Sequence, residues 1–163
     1  MSSRRSLHQR EVMPILCKAS PADLETLNRI AYEAEAYWEH DESFMEIFAS
    51  VYKLTGETLK NQITYLMVEN NQIIGFFSII PKQSAAHLDY FYIRREQMGK
   101  GLGRKLWNHL LNLCREKGFK EITGETEPGA LPFYTKMGAI QVGTTKSKID
   151  PNKDLPKFQF SLY

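Results

Sequence analysis

The spacing of apolar residues divides the chain into a helical N-terminal part and a longer part dominated by strands. Residues 15–19 predict a first strand, and the pair Ser20-Pro21 that follows is a typical helix start, here for a helix over residues 21–34. Apolar positions three and four apart predict a second helix from about Asp41. Its buried stripe is expected to comprise Phe44, Ile47, Phe48 and Val51.

From residue 63 onward the apolar period changes from helical to extended. Asn70-Asn71 separates two alternating runs, and paired asparagines tolerate the positive φ that a tight turn needs, so residues 63–68 and 73–80 predict an antiparallel hairpin. The later elements are predicted as strand 87–93, a long amphipathic helix from about Gly101 to a Gly118 cap, strand 121–125, a short helix over 130–137, and strands 140–145 and 158–162. This order indicates a single α/β domain with a mixed, mostly antiparallel central sheet flanked by about four helices.

Composition narrows the classes of protein that the chain can belong to. Its 163 residues fit one domain, placed here at residues 13–163, after a basic tail over residues 1–12 that we expect to be disordered. The formal net charge of +2 is too small for a dedicated nucleic-acid binder. The longest apolar run, residues 73–80, is too short to cross a membrane. The two distant cysteines, Cys17 and Cys114, favour a reducing, cytoplasmic setting.

A glycine-rich segment between a strand and a helix predicts a phosphate-binding turn. Gly99, Gly101 and Gly103 precede the long helix, where free backbone N–H groups and the helix dipole together favour an anion. The segment lacks the Lys-Ser/Thr end of a Walker loop. Its glycines are spaced two apart, which is not the spacing of a dinucleotide fingerprint.

Residues 92–106 resemble the central motif of the Gcn5-related N-acetyltransferases, in which an Arg/Gln-x-x-Gly-x-Gly/Ala segment surrounds the pyrophosphate of acetyl-CoA. Residues 130–139, with the Phe133-Tyr134 pair and Gly138, are similar to a second motif of that family. The resemblance implies acetyl-CoA as a cosubstrate. It implies cofactor contacts from Phe91, Tyr92, Ile93, Met98, Gly99, Lys100, Gly101, Leu102, Gly103 and Arg104.

Three positions depart from the family pattern. Met98 stands where the family most often has Arg or Gln, and Glu127 and Gly129 replace residues that commonly carry an amide near the pantetheine arm. We therefore expect modestly weaker cofactor contacts. A catalytically idle domain that binds CoA as a sensor or scaffold is the alternative that these departures support.

The reaction that the resemblance implies is direct attack of a primary amine on the thioester. A lysine-like amine has a pKa near ~10.4, so it needs a proton acceptor at neutral pH. Asp89 and His87 share one face of their strand, because residues two apart point the same way. Asp89 is the first candidate for that base because the resemblance places a carboxylate there, and His87 is the second. The family's oxyanion donor is a backbone N–H at a strand bulge, expected here near residues 91–93, and its thiolate partner is matched by Tyr134.

The acceptor is expected to be the amine of a small molecule or peptide. Acids outnumber bases between residues 21 and 58, which fits either a cationic acceptor or ordinary solvated helix faces. Tyr37 and Trp38 are candidates for lining the acceptor pocket. The four histidines form no metal-ligand spacing with the cysteines, so no metal is implied. A homodimer through the late strands is compatible with the pattern, whereas a nucleic-acid partner would have to use scattered arginines such as Arg94 and Arg95.

Overall fold

One twisted sheet with helices on both faces organises the chain. The computed structural model describes residues 14–163, so the tail predicted at residues 1–12 lies outside the described residues. The strands are β1 (Ile15–Lys18), β2 (Ile63–Glu69), β3 (Gln72–Lys82), β4 (Ala85–Ile93), β5 (Glu121–Glu125), β6 (Ile140–Lys146) and β7 (Asp154–Ser161). The α-helices are α1 (Leu24–Ala36), α2 (Glu42–Val51), α3 (Gly56–Asn61), α4 (Leu102–Glu116) and α5 (Leu131–Lys136).

The strands lie in the order β1-β2-β3-β4-β5-β7-β6. Among the strand pairs of residues 14–163, only β4 with β5 is parallel. The β2–β3 hairpin turns at Asn70 and Asn71, whose φ angles are 51° and 61°. This matches the predicted Asn-Asn turn, and the single α/β domain with a mixed, mostly antiparallel sheet is confirmed.

Two apolar clusters, one on each face of the sheet, hold the helices in place. On one face α4 buries Leu106, Trp107 and Leu110 against β3 and β5. The predicted stripe of this helix is confirmed, because Leu102, Leu106, Leu110, Leu113 and Cys114 are all buried. On the other face, residues of α1 and α2 pack on aromatic residues of β3 and β4.

Three predicted details of the elements are wrong. Ile47 and Val51 are 43% and 49% exposed, because the short α2 turns Met45 and Phe48 to the core instead. The last strand starts at Asp154, earlier than predicted, because its N-terminal half pairs with β6. Helix α3 was not among the predicted elements, although the pair Thr55 and Thr58 forms its N-terminal capping box.

Within residues 14–163, no helix combines the length and the apolar character needed to cross a membrane.

Strand β4 is irregular where it approaches the glycine-rich segment. Tyr90 pairs with Ser78 and Leu88 pairs with Ile79, so Asp89 is an extra residue that forms a bulge. On its other side, β4 pairs with β5 only from Ala85 to Leu88. Beyond that point the two strands separate. The interruption of the sheet creates the opening in which the candidate site lies.

Candidate active site

A cavity of about 540 Å³ opens where β4 and β5 separate, a size typical of small-molecule sites. The end of α1, one side of α2, the glycine-rich segment and α5 form its walls. Of the residues predicted for the site, the cavity is lined by Tyr37, Trp38, Asp89, Phe91, Tyr92, Ile93, Met98, Gly99, Gly101, Gly103, Arg104 and Tyr134. Lys100 and His87 are not part of the lining, and the Leu102 side chain is buried in the core, so it is available only through its backbone.

The glycine-rich segment presents an open backbone to this cavity. Gly99 and Gly101 have φ angles of 81° and 77°, which side chains rarely adopt, and a Cβ at either position would meet no atom within 4 Å. Gly101 is the N-cap of α4, and no side chain caps that helix end. The start of α4 carries no acid and contains Arg104 and Lys105. The free N–H groups and the positive charge fit a pyrophosphate.

Tyr134 is 7% exposed and sits on α5 among other aromatic rings. Its ring stacks on Phe158 at a centroid distance of 4.3 Å and contacts the edges of Phe91 and Trp107 at 5.9 Å. Burial, and secondarily the Glu35 charge, raise the pKa of Tyr134 above its usual value. The phenol therefore stays protonated and is available as a hydrogen-bond donor in the cavity.

Of the two side chains predicted as bases, Asp89 lines the cavity and His87 does not. The expected alternation of β4 is broken at Asp89, since Leu88 and Tyr90 belong to apolar clusters on opposite faces. The Asp89 carboxylate lines the cavity and accepts a hydrogen bond from Gln62 Nε2 at 3.0 Å. The expectation of a bulge near residues 91–93 is thus wrong by two residues, because the extra residue in β4 is Asp89.

His87 faces β5 and is engaged there. Its Nδ1 lies 2.9 Å from Thr123 Oγ1, and its Nε2 lies 3.6 Å from Glu125 Oε2. The hydrogen bond with His87 lowers the pKa of Glu125 against the effect of burial. Only Glu125 of this pair lines the cavity, so His87 reaches the cavity indirectly.

A polar cluster that the sequence did not predict lies where α1 ends. We call Glu35, His40, Tyr92, Glu127 and Lys153 the carboxyl cluster. His40 Nε2 lies 3.1 Å from Glu35 Oε1 and 3.2 Å from Glu127 Oε1. Tyr92 donates its hydroxyl to Glu35 Oε2 at 3.1 Å, and Lys153 Nζ pairs with Glu127 Oε2.

The charges in the carboxyl cluster are unequal. Burial and the neighbouring Glu127 raise the pKa of Glu35 to about 8. Burial also opposes ionisation of Glu127, but hydrogen bonds from Glu35 and Lys153 outweigh it and lower its pKa. Burial lowers the pKa of His40. At neutral pH the cluster thus holds a proton on Glu35, a negative charge on Glu127 and an uncharged imidazole.

Three members of the cluster also form a possible donor set for a metal ion. One ligand atom each from Glu35, His40 and Glu127 lies within 4.8 Å of the others. However, the second oxygen of Glu35 is taken by Tyr92, and that of Glu127 by Lys153, whose ammonium supplies the positive charge. These contacts favour a hydrogen-bonded cluster over a metal centre.

Trp38 lines the cavity and packs on the backbone at Gly129. A Cβ at position 129 would lie 2.6 Å from Trp38 Cζ3, so only glycine allows this contact. Tyr37 is 46% exposed and meets Trp38 edge to face at a centroid distance of 5.0 Å. The indole of Trp38 therefore occupies the space that a side chain at position 129 would take in other family members.

Two comparisons of the amino-acid sequence identify similar proteins. Residues 27–148 match the family described as acetyltransferase (GNAT) domain. An uncharacterized protein of Dictyostelium discoideum is 24% identical in an alignment 128 residues long that covers 68% of this chain and 29% of that protein. The chain therefore spans less than a third of the curated relative that it matches.

Solved structures show the same fold at low sequence identity. The PaiA N-acetyltransferase of Thermoplasma acidophilum, in complex with coenzyme A, superposes with a TM-score of 0.79 at 19% identity and covers 91% of this chain and 99% of its own. The ribosomal-protein-S18-alanine N-acetyltransferase of Escherichia coli has a TM-score of 0.70 at 18% identity, and the superposition covers 92% of this chain and 94% of that enzyme.

Proposed function

The chain belongs to the GNAT acetyltransferase family, and on that premise we propose that it transfers the acetyl group of acetyl-CoA to a primary amine. The observation that carries the proposal is the cavity between β4 and β5, which joins an open glycine-rich backbone to a buried tyrosine hydroxyl. These are the two features that a thioester with a pyrophosphate tail requires. No metal is needed for this chemistry.

Acetyl-CoA is proposed to bind with its pyrophosphate at the start of α4. The uncapped N–H groups after Gly101 would donate to the phosphate oxygens, and Arg104 would add charge at the same place. Met98 lines the cavity but offers no charged anchor, so the backbone carries more of the binding energy. The β4 edge beyond Leu88 is not paired with β5 and leaves backbone groups free for the rest of the cofactor.

Chemistry at the thioester needs a donor for the leaving sulfur. The amine nitrogen forms a C–N bond with the acetyl carbon, and the C–S bond breaks to give a thiolate. We assign Tyr134 to the stabilisation of that thiolate, since its buried hydroxyl keeps its proton and lines the cavity. Asp89 and His87 are the proton acceptors that the sequence predicts, and of these two only Asp89 lines the cavity.

The acceptor side of the cavity favours a cationic amine of a small molecule or peptide. Trp38, Phe44 and Tyr52 present aromatic faces there, which attract ammonium groups. Asp89 contributes a carboxylate, and burial together with that carboxylate raises the pKa of Tyr52 to about 12. The free thiols of Cys17 and Cys114 support a reducing, cytoplasmic setting for the reaction.

Replacement of Tyr134 by Phe tests the assignment. We expect turnover of acetyl-CoA with an amine to fall by about 10²-fold or more, because the thiolate loses its donor. Affinity for acetyl-CoA should stay close to wild type, since the change removes one hydroxyl and leaves the glycine-rich segment as it is. Tyr32→Phe is the matched control, because Tyr32 is exposed on α1 and does not line the cavity. Unchanged turnover in Tyr134→Phe would remove this residue from the mechanism.

A catalytically idle CoA-binding domain is the second candidate. The observation in its favour is Met98, which is 37% exposed at a position where the family most often has a side chain that anchors the cofactor. Such a domain would bind acetyl-CoA and acetylate no amine in a broad panel. An acetylated product of any one amine rules it out.

A further inference from the structure

Among the described residues, Glu35 is the most buried of the carboxylates that line the cavity. Its side chain is 8% exposed, it lines the cavity, and both of its oxygens are held by neighbouring side chains. Asp89, by comparison, accepts a hydrogen bond through one oxygen only, from the side-chain amide of Gln62. Glu127 is ionised but is paired with Lys153. The Glu35 carboxylate is therefore held in one position at the wall of the cavity.

We propose that the carboxylate of Glu35 accepts the proton of the incoming amine, and that His40, Tyr92 and Glu127 position it. The proposal rests on the proposed acetyl transfer and names its proton acceptor. Glu35 lies in the last turn of α1, close in the chain to Trp38, which lines the proposed acceptor side of the cavity. Tyr92, on the strand β4 that borders the opening, donates its hydroxyl to Glu35 Oε2 at 3.1 Å.

The surroundings of Glu35 suit proton transfer from an amine. The titratable and charged groups that interact with it are Glu127, His40, Tyr92, Lys153, Tyr134 and Tyr52. Burial and Glu127 raise the pKa of Glu35 to about 8, against the lowering effects of Tyr92 and Lys153. An ordinary glutamate has a pKa of ~4.3, and a lysine-like amine has a pKa of ~10.4. The raised pKa of Glu35 therefore makes proton transfer from the amine more favourable by roughly 10³-fold or more.

The protons balance over one turnover. The ammonium of the acceptor gives its first proton to Glu35 and becomes a nucleophile. After the C–N bond forms and the C–S bond breaks, a second N–H proton passes to the thiolate by way of the Tyr134 hydroxyl, which leaves an amide and the CoA thiol. Glu35 then releases its proton to water, so each cycle delivers one proton to the solvent.

The dependence of kcat/KM on pH tests the proposal with an alkylamine acceptor. We expect the wild-type rate to rise with pH through about 8, as Glu35 ionises. Glu35→Gln keeps the shape of the side chain, and we expect it to lose this rise together with about 10²-fold or more of the rate. Its affinity for acetyl-CoA should be retained. Glu33→Gln, the same change on α1 outside the cavity lining, should keep both the rise and the rate.

A second variant gives a result that a merely structural role would not produce. In Glu127→Gln the negative neighbour is lost, an amide can donate to Glu35, and Lys153 loses its partner. All three changes favour the ionised form of Glu35. The rise in kcat/KM should therefore move to lower pH. A rise that stays in place would overturn the proposal even if Glu35→Gln failed to fold.

An acceptor that is neutral at the assay pH adds a further test. With an alkoxyamine, which needs no proton removed before attack, the ratio of wild-type to Glu35→Gln rates should be many times smaller than with an alkylamine. Equal ratios would contradict the role of Glu35, as would a pH rise that Asp89→Asn abolishes and Glu35→Gln retains. Loss of activity in a chelator would identify a metal centre instead. Wild-type protein that acetylates no amine would refute the proposed function itself.

Discussion

Replacement of Gly129 by alanine tests whether Trp38 is held against the backbone beside the cavity. The new Cβ would lie 2.6 Å from Cζ3 and 3.0 Å from Cε3 of the indole, which is closer than carbon atoms approach. The backbone there is anchored, since Ala130 donates its N–H to the Glu127 carbonyl at 2.9 Å, so the indole has to move. Overpacking of this kind costs about 1–3 kcal/mol. In a domain of this size that is a fall in Tm of about 2–12 °C.

Thermal unfolding of Gly129→Ala beside Gly56→Ala measures this cost. Gly56 begins α3 and a Cβ there would meet nothing within 4 Å, so the control should be neutral or gain about 0.4–1 kcal/mol from the stiffer unfolded chain. Because Trp38 lines the cavity, KM for the acceptor should also rise in Gly129→Ala while the affinity for acetyl-CoA changes little. Equal stability of the two variants would refute the packing argument.

Three further predictions concern the cofactor turn, the carboxyl cluster and the thiols. Gly101→Asp should abolish acetyl-CoA binding in calorimetry, because it adds a negative charge at the start of α4, whereas Gly118→Asp, at a similar φ of 82°, should lose stability and keep the affinity. The raised pKa of Glu35 means that the folded state binds a proton more tightly than the unfolded state, so stability should fall as pH rises from about 4.5 to about 8, and Glu35→Gln should fall less over that window. In the native protein a disulfide reagent should modify Cys17 well before Cys114, which is buried and whose pKa burial raises to about 12; equal rates would contradict this.

Local signals were sufficient to predict most of the fold. The Asn70-Asn71 turn and the apolar stripe of α4 each depend on residues close together in the chain, and both are present as predicted. The glycine-rich turn and Tyr134 could be identified for the same reason, since each lies in a short motif. Their meeting in one cavity follows from the parallel pairing of β4 with β5.

The carboxyl cluster could not be predicted because its members come from distant parts of the chain. Glu35 is one of many acids in the first helices, and its burial depends on Tyr92 in β4 and Glu127 after β5. Lys153 comes from the segment before β7. The bulge at Asp89 has no glycine or proline to mark it, so the predicted alternation of β4 continued past the point where it breaks. The one available signal was the departure at Glu127 from the family pattern.

Release of the CoA thiol from acetyl-CoA, followed over a panel of primary amines with mass analysis of the products, tests the central claim most directly. We expect thiol release that depends on the amine, with one acetyl group added to the acceptor, and we expect both to be lost in Gly101→Asp. Acetyl-CoA that binds to the wild-type protein and yields no acetylated amine would contradict the proposed acetyl transfer.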